Sequence, residues 1–162
     1  MMIVVMGVSG CGKTTIGQAM AKQLQLPYYD ADDFHPQSNI DKMKNAIPLT
    51  DEDRQPWLVH LSECIKTWDE QGGAVLSCSA LKESYRQLLA SKSKPINWVY
   101  LMGSFETIQS RLNKRKGHYM KSTLLQTQFD TLEEPAYGIH IAIEKTPKAI
   151  VSTLISKLKA HG

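Results

Sequence analysis

The chain has 162 residues, of which 42% are hydrophobic and 22% charged, a balance that suits one globular domain built around its own core. A formal net charge of +3 is too small to argue for nucleic acid by itself, and no apolar run approaches the roughly 20 residues that span a bilayer. The odd set Cys11, Cys64 and Cys78 lacks C-x-x-C spacing, so neither a disulfide framework nor a zinc site is expected.

Residues 2–6, Met-Ile-Val-Val-Met, form an apolar run expected to be a buried strand, and no basic leader precedes it. A reducing cytoplasm is the expected location. Directly after the run, Gly7-Val8-Ser9-Gly10-Cys11-Gly12-Lys13-Thr14 reads G-x-x-x-x-G-K-T, a phosphate-binding loop in its proper context, with a strand before it and a helix after. The glycines let successive N–H groups turn inward toward phosphate oxygens, and the following helix adds the positive end of its dipole. Lys13 is expected on the β- and γ-phosphates and Thr14 on magnesium. Gly7, Ser9, Gly10, Cys11, Gly12 and Thr15 complete the nucleotide set. The competing reading is a glycine-rich turn with no ligand. Cys11 is either a small filler or a thiol whose pKa the helix N-terminus lowers.

The first helix carries Ile16, Met20 and Leu24 on one face, and residues 27–29 read as a short strand ending in Asp30. If strand geometry persists, Asp30 and Asp32 point to the same side. A phosphotransferase acting on an alcohol needs one carboxylate for the metal and one to take the hydroxyl proton. Asp30 fits the first task and Asp32 the second, against the plainer reading of a solvated acidic turn. His35-Pro36 is either a turn or a hydrogen-bond donor to a polyol. A short helix is expected near 39–45. Thr50-Asp51-Glu52-Asp53 is a strong helix start, with Trp57, Leu61, Cys64, Ile65 and Trp68 inward until Gly72-Gly73.

Residues 74–77 read as a third strand. Its end, Ser77-Cys78-Ser79, lacks the acidic metal ligand of motor-type ATPases. Lys82 and Arg86 are expected one turn apart on a helix. With Arg54 they are either surface charges or clamps for an anionic substrate. A fourth strand is expected at 97–102 and a helix at 104–116. Arg111, Lys114, Arg115, Lys116, His118 and Lys121 make a basic cluster, read as a closing lid over about 114–122 or as a solvated basic helix. Arg111 and Arg115, at i and i+4, would share a face toward the nucleotide, with Arg115 stabilising the moving phosphoryl charge. A helix to about 132, a last strand at 138–143 and a final helix with Ile150, Leu154 and Leu158 follow. The expected architecture is α/β: a P-loop three-layer sandwich whose five-stranded parallel sheet has helices on both faces, one domain over 1–162.

At these residues the chain resembles the gluconokinases, which belong with the shikimate- and adenylate-kinase-like P-loop small-molecule kinases. The resemblance rests on the P-loop, Asp30-Ala31-Asp32-Asp33-Phe34-His35-Pro36, Lys42-Met43, Asp51-Glu52-Asp53-Arg54, Ser79-Ala80-Leu81-Lys82 with Tyr85-Arg86, Arg111-Leu112 with Arg115, and Gln128-Phe129. It implies ATP- and magnesium-dependent phosphorylation of D-gluconate at its 6-hydroxyl by a cytoplasmic enzyme that is often a homodimer, with no nucleic-acid or membrane partner. His35, Arg54, Lys82 and Arg86 would join Asp32 on the substrate. Asn45-Ala46-Ile47 departs from the family, which commonly has a glycine there. Two other readings stand beside this one: a P-loop kinase for another small hydroxylated acceptor such as shikimate, and a non-catalytic ATP-sensing module.

Overall fold

The computed structural model describes residues 1–114 and 122–161. Its sheet is centred on β1 (Met2–Met6), every residue of which is buried. β3 (Ala74–Ser77) and β4 (Asn97–Met102) pair with β1 on its two sides, and β2 (Tyr28–Asp30) and β5 (Ile139–Ala142) form the edges, all parallel in the order β2-β3-β1-β4-β5. A parallel sheet covered on both faces needs apolar residues on both sides of each strand, which is why β1 reads as an unbroken apolar run.

Side chains alternate across that run. Ile3 and Val5 join one core with Ile16 and Met20 of α1 (Lys13–Leu24), Ile108 and Leu112 of α5 (Phe105–Lys114), Leu125 of α6 (Ser122–Thr131), and Ile150 and Leu154 of α7 (Pro147–His161). Met2, Val4 and Met6 join the other with Leu58, Leu61, Ile65 and Trp68 of α3 (Asp51–Glu70) and Tyr85 and Leu89 of α4 (Glu83–Leu89). The result is the expected three-layer sandwich with five parallel strands. The remaining element, α2 (Gln37–Lys44), lies between β2 and α3 in the chain. Cys64, expected inward on α3, is only half-buried at the margin of its core.

α3 begins as its sequence dictates. The Thr50 hydroxyl accepts from Asp53 N–H at 3.1 Å, and the Asp53 carboxylate accepts from Thr50 N–H at 2.9 Å, a reciprocal cap. Ahead of it, Ala46 has φ +55°, a left-handed conformation that costs an alanine side chain where glycine would be free. It lies within Asn45-Ala46-Ile47, the stretch where the resemblance leads one to expect a glycine. Strand order reverses around β1, so the crevice beyond the carboxyl ends of β1 and β3 is where a ligand belongs.

Candidate active site

The loop after β1 turns on glycines. Gly10 has φ +82°, and a Cβ there would sit 2.7 Å from Leu112 Cγ, so the basic helix α5 packs directly on the loop only because this residue has no side chain. Lys13 Nζ donates to the carbonyls of Gly7 and Val8, both at 3.0 Å, and lies folded across the loop. The loop is joined to β3 and the segment just after it: the Ser77 hydroxyl donates to Lys13 O at 2.9 Å, and Gly7 N–H donates to Ser79 O at 3.3 Å. At Cys11 the structure decides between the two readings in favour of the small filler. Its thiol is buried in the core and burial pushes its pKa up, despite Lys13 nearby, so it is not activated by the helix terminus.

Two cavities meet at this loop. One, of about 180 Å³, is lined by Gly10, Cys11, Gly12, Thr15, Arg111 and residues from Ile143 to Ile150. Arg111 is held there by donating through Nη2 to Ile143 O at 2.6 Å. The other, of about 280 Å³, contains Ser9, Asp32, His35, Arg54, Trp57, Tyr85 and Gln128 among its lining residues. The loop therefore separates a compartment next to the helix α1 terminus from one rich in polar side chains.

The acidic segment reaches this second cavity by a route the sequence reading did not foresee. Strand geometry does not persist beyond Asp30. Residues Ala31–Phe34 form a 3-10 turn, and Asp30 caps it by accepting from Asp32 N–H at 2.9 Å. Trp57 Nε1 donates to Ala31 O at 2.8 Å and pins the turn to α3. Asp32 thereby lines the cavity. Although the residue is open to solvent, the crevice walls desolvate its carboxyl and raise its pKa, with Asp33 adding to the rise and Lys13 opposing it. Burial raises the Asp30 carboxyl as well, and Asp32 and Asp33 add repulsion.

His35 is buried, stacked on Trp57 with ring centroids 4.1 Å apart, and hydrogen-bonded to Asn39. Asn39 Nδ2 also donates to the Asp53 carbonyl at 2.9 Å, which identifies that atom as the amide nitrogen. His35 Nδ1 must then accept at 3.1 Å, leaving its proton on Nε2. Burial and Arg54 hold its pKa below the ordinary value, so the ring is a neutral donor. Arg54 donates through Nη1 to Leu49 O at 2.9 Å and approaches the Tyr85 hydroxyl at 3.3 Å, while Tyr85 donates to Asp51.

The other two expected anion clamps are elsewhere. Lys82 precedes α4 and pairs with Asp51 at 3.1 Å, outside the cavity lining. Arg86 is 1% exposed, and its guanidinium is occupied: Nη1 donates to Ala80 O at 2.6 Å, Nη2 to Glu133 O at 2.7 Å, and Nε to Glu83 at 3.0 Å and Tyr137 at 3.1 Å. It is a strut between the wall of the cavity and the end of α6. Arg115 and nearly all of the expected lid over 114–122 lie outside the described residues. Gln128 and Tyr85, which line the cavity, had no role in the sequence reading. They stood inside recognisable blocks, but only the fold shows what they face.

Thr14 and Asp30 offer hard oxygen donors of the kind magnesium takes, and the mutual repulsion of Asp30, Asp32 and Asp33 is what a cation would relieve. Among the described residues no group of three or more His, Cys, Asp or Glu side chains forms a metal cage.

Fold and site together define a P-loop phosphotransferase, with a phosphate loop set between two compartments and a carboxylate in one of them. Comparison with known proteins narrows this. The shikimate kinase family model matches residues 9–159. The chain is 44% identical to a probable gluconokinase of Xenopus tropicalis over 174 aligned positions, covering 95% of this chain and 91% of that protein. It is 41% identical to the gluconokinase of Gluconobacter oxydans (strain 621H), covering 98% and 92%. The crystal structure of a gluconokinase from Sinorhizobium meliloti 1021 superposes with a TM-score of 0.90 at 40% identity, covering 98% of this chain and 91% of that one. The chain belongs to the gluconokinase family, within the shikimate kinase group of P-loop kinases. Such kinases use ATP and usually magnesium. Among the described residues no helix is long and apolar enough to cross a membrane.

Proposed function

We propose that the protein transfers the γ-phosphoryl group of ATP to the 6-hydroxyl of D-gluconate, giving 6-phospho-D-gluconate and ADP. The observation that carries this reading is the presence of Asp32, Arg54 and the P-loop residue Ser9 in one cavity. That cavity joins a proton acceptor, a carboxylate-binding cation and the phosphate site in a space suited to a small polar acid.

Asp32 takes the proton of the attacking hydroxyl. Its raised pKa makes it a better acceptor than an ordinary surface carboxylate. His35 donates from Nε2 to a substrate hydroxyl, and Arg54 receives the carboxylate with the guanidinium hydrogens not used on Leu49 and Tyr85. Lys13 leaves the carbonyls of Gly7 and Val8 for the phosphates, where charge-assisted bonds are stronger. Arg111 lines the nucleotide compartment, and Arg115 of the lid adds positive charge to the moving group. Magnesium, held by Thr14 and Asp30, would neutralise charge on the β- and γ-phosphates. The reading includes a cytoplasmic location, supported by three unpaired cysteines, and a homodimer, to be tested by sedimentation.

The test is ADP release with magnesium-ATP and, in parallel, gluconate, shikimate, nucleoside monophosphates or water. Release stimulated by gluconate well above the others is expected. Stimulation by another acceptor would discard the substrate. ATP binding without any stimulation would favour a sensing module.

A further inference from the structure

Among the described residues, helix α6 reaches the phosphate loop through Gln128. Ser9 N–H donates to Gln128 Oε1 at 2.7 Å, and Gln128 Nε2 donates to the Ser9 hydroxyl at 2.9 Å. A backbone N–H can only donate, so the orientation of this amide is determined by chemistry. One Nε2 hydrogen is given to Ser9. The other belongs to a residue that lines the same cavity as Asp32, His35 and Arg54. A neutral donor therefore stands where the phosphate loop meets the acceptor compartment.

The contact is not what holds α6 in place. Leu125 is fully buried in the core beside Ile108 and Leu112. Beyond the helix, Glu133 N–H donates to Leu81 O at 2.8 Å, and Glu133 O accepts from the buried Arg86. With Leu125 in the core and Glu133 held just beyond the helix, the Gln128–Ser9 pair is free to serve the loop.

We propose that Gln128 is a catalytic residue in the transfer step: it fixes Ser9 and directs its second amide hydrogen at the phosphoryl group as that group passes to the acceptor hydroxyl. This rests on the phosphotransfer reading above. A donor that meets its partner only during transfer lowers the barrier without tightening either substrate, so its loss should appear in kcat and leave KM nearly unchanged.

The experiment compares Gln128→Ala and Gln128→Glu with the unaltered protein. It uses steady-state kinetics in gluconate and ATP together with direct titration of magnesium-ATP in the absence of gluconate. We expect Gln128→Ala to lose roughly 10- to 100-fold in kcat, with ATP affinity and both KM values held within about threefold. Gln128→Glu keeps an acceptor for Ser9 N–H but sets a negative charge against phosphoryl oxygens, so it should be slower than Gln128→Ala. A mere tether predicts the reverse order, because glutamate holds Ser9 and alanine cannot. Gln128→Glu faster than Gln128→Ala, an unchanged kcat in Gln128→Ala, or a fall in ATP affinity in step with kcat would overturn the proposal. If the unaltered protein binds ATP but gluconate stimulates nothing, the substrate reading fails instead, and the titration separates the two failures.

Discussion

At Asp32 a single carboxylate faces two opposed demands. Crevice walls that desolvate it raise its pKa, which suits proton transfer but makes its charged form costly to the fold. Asp32→Asn should therefore lower gluconate-dependent turnover by orders of magnitude while raising Tm at neutral pH. Kinetics and calorimetry on one preparation check both, and a lower Tm would contradict the desolvation argument. Ala46 shows strain of another kind, at φ +55°. Relief of a left-handed alanine is worth about 1 kcal/mol, and glycine's extra freedom in the unfolded chain returns part of it. Ala46→Gly should gain about 0.5 kcal/mol, or roughly 1–2 °C in Tm; no gain would mean that the surrounding turn already relieves the alanine. Lys13, Asp32, His35 and Arg54 stand out in sequence because each follows a strand or opens a helix beside the P-loop, and the structure places the last three along one cavity. Arg86 was misjudged for a physical reason: a cation one turn from a cavity looks the same in sequence whether it faces the ligand or the chain's own carbonyls.

Among the elements, the β3–α4 connection depends most on one side chain. Ala80 is left-handed at φ +47°, and its carbonyl and that of Glu133 are both held by the buried Arg86 guanidinium. Arg86→Met keeps the volume but leaves both carbonyls without this donor. It should cost about 2–4 kcal/mol by denaturant unfolding, whereas Lys82→Met, which breaks a more exposed ion pair, should cost under about 1 kcal/mol. If Arg86→Met lost gluconate affinity at unchanged stability, Arg86 would be a substrate clamp after all. Element types and order matched the expectation closely, since apolar strands, capping residues and glycine stops are local signals. The 3-10 turn at Ala31–Phe34 did not match. It forms because the Asp30 side chain captures Asp32 N–H and Trp57, distant in sequence, captures Ala31 O.

For the whole molecule, the pH dependence of stability follows from opposed groups. His35 has a pKa below its ordinary 6.5, so stability from this residue is lost as pH falls through that value toward the folded one. Asp30 and Asp32 have raised values and oppose the loss, because their costly charges disappear on protonation in the same acidic range. Asp51 and Asp53, both held below the ordinary carboxylate range, set the lower limb. Lys42 and the Thr50 N–H hold Asp53 down at about 2 against an ordinary 3.8, so its contribution is complete above 3.8 and vanishes as pH falls through about 2. The steepest acid loss is therefore expected between pH 4 and 2. It should flatten in Asp53→Asn, whose Tm at neutral pH is lower. Thermal unfolding from pH 8 to 2 measures both, and an unchanged acid limb in that variant would remove Asp53 from the account.

By itself the sequence determined the phosphate loop of this protein. Strand, glycine loop, lysine, threonine and helix are contiguous, and local chemistry needs no distant partner to make a phosphate site. It also determined the layered parallel sheet, through unbroken apolar strands alternating with amphipathic helices. Tertiary structure alone decided the acceptor half. Packing of α3, α4 and α6 against the sheet chose which cations face the crevice, which serve as struts, and that Gln128 meets Ser9 across 119 residues. Such choices depend on contacts between segments far apart in the chain, and no local pattern encodes them.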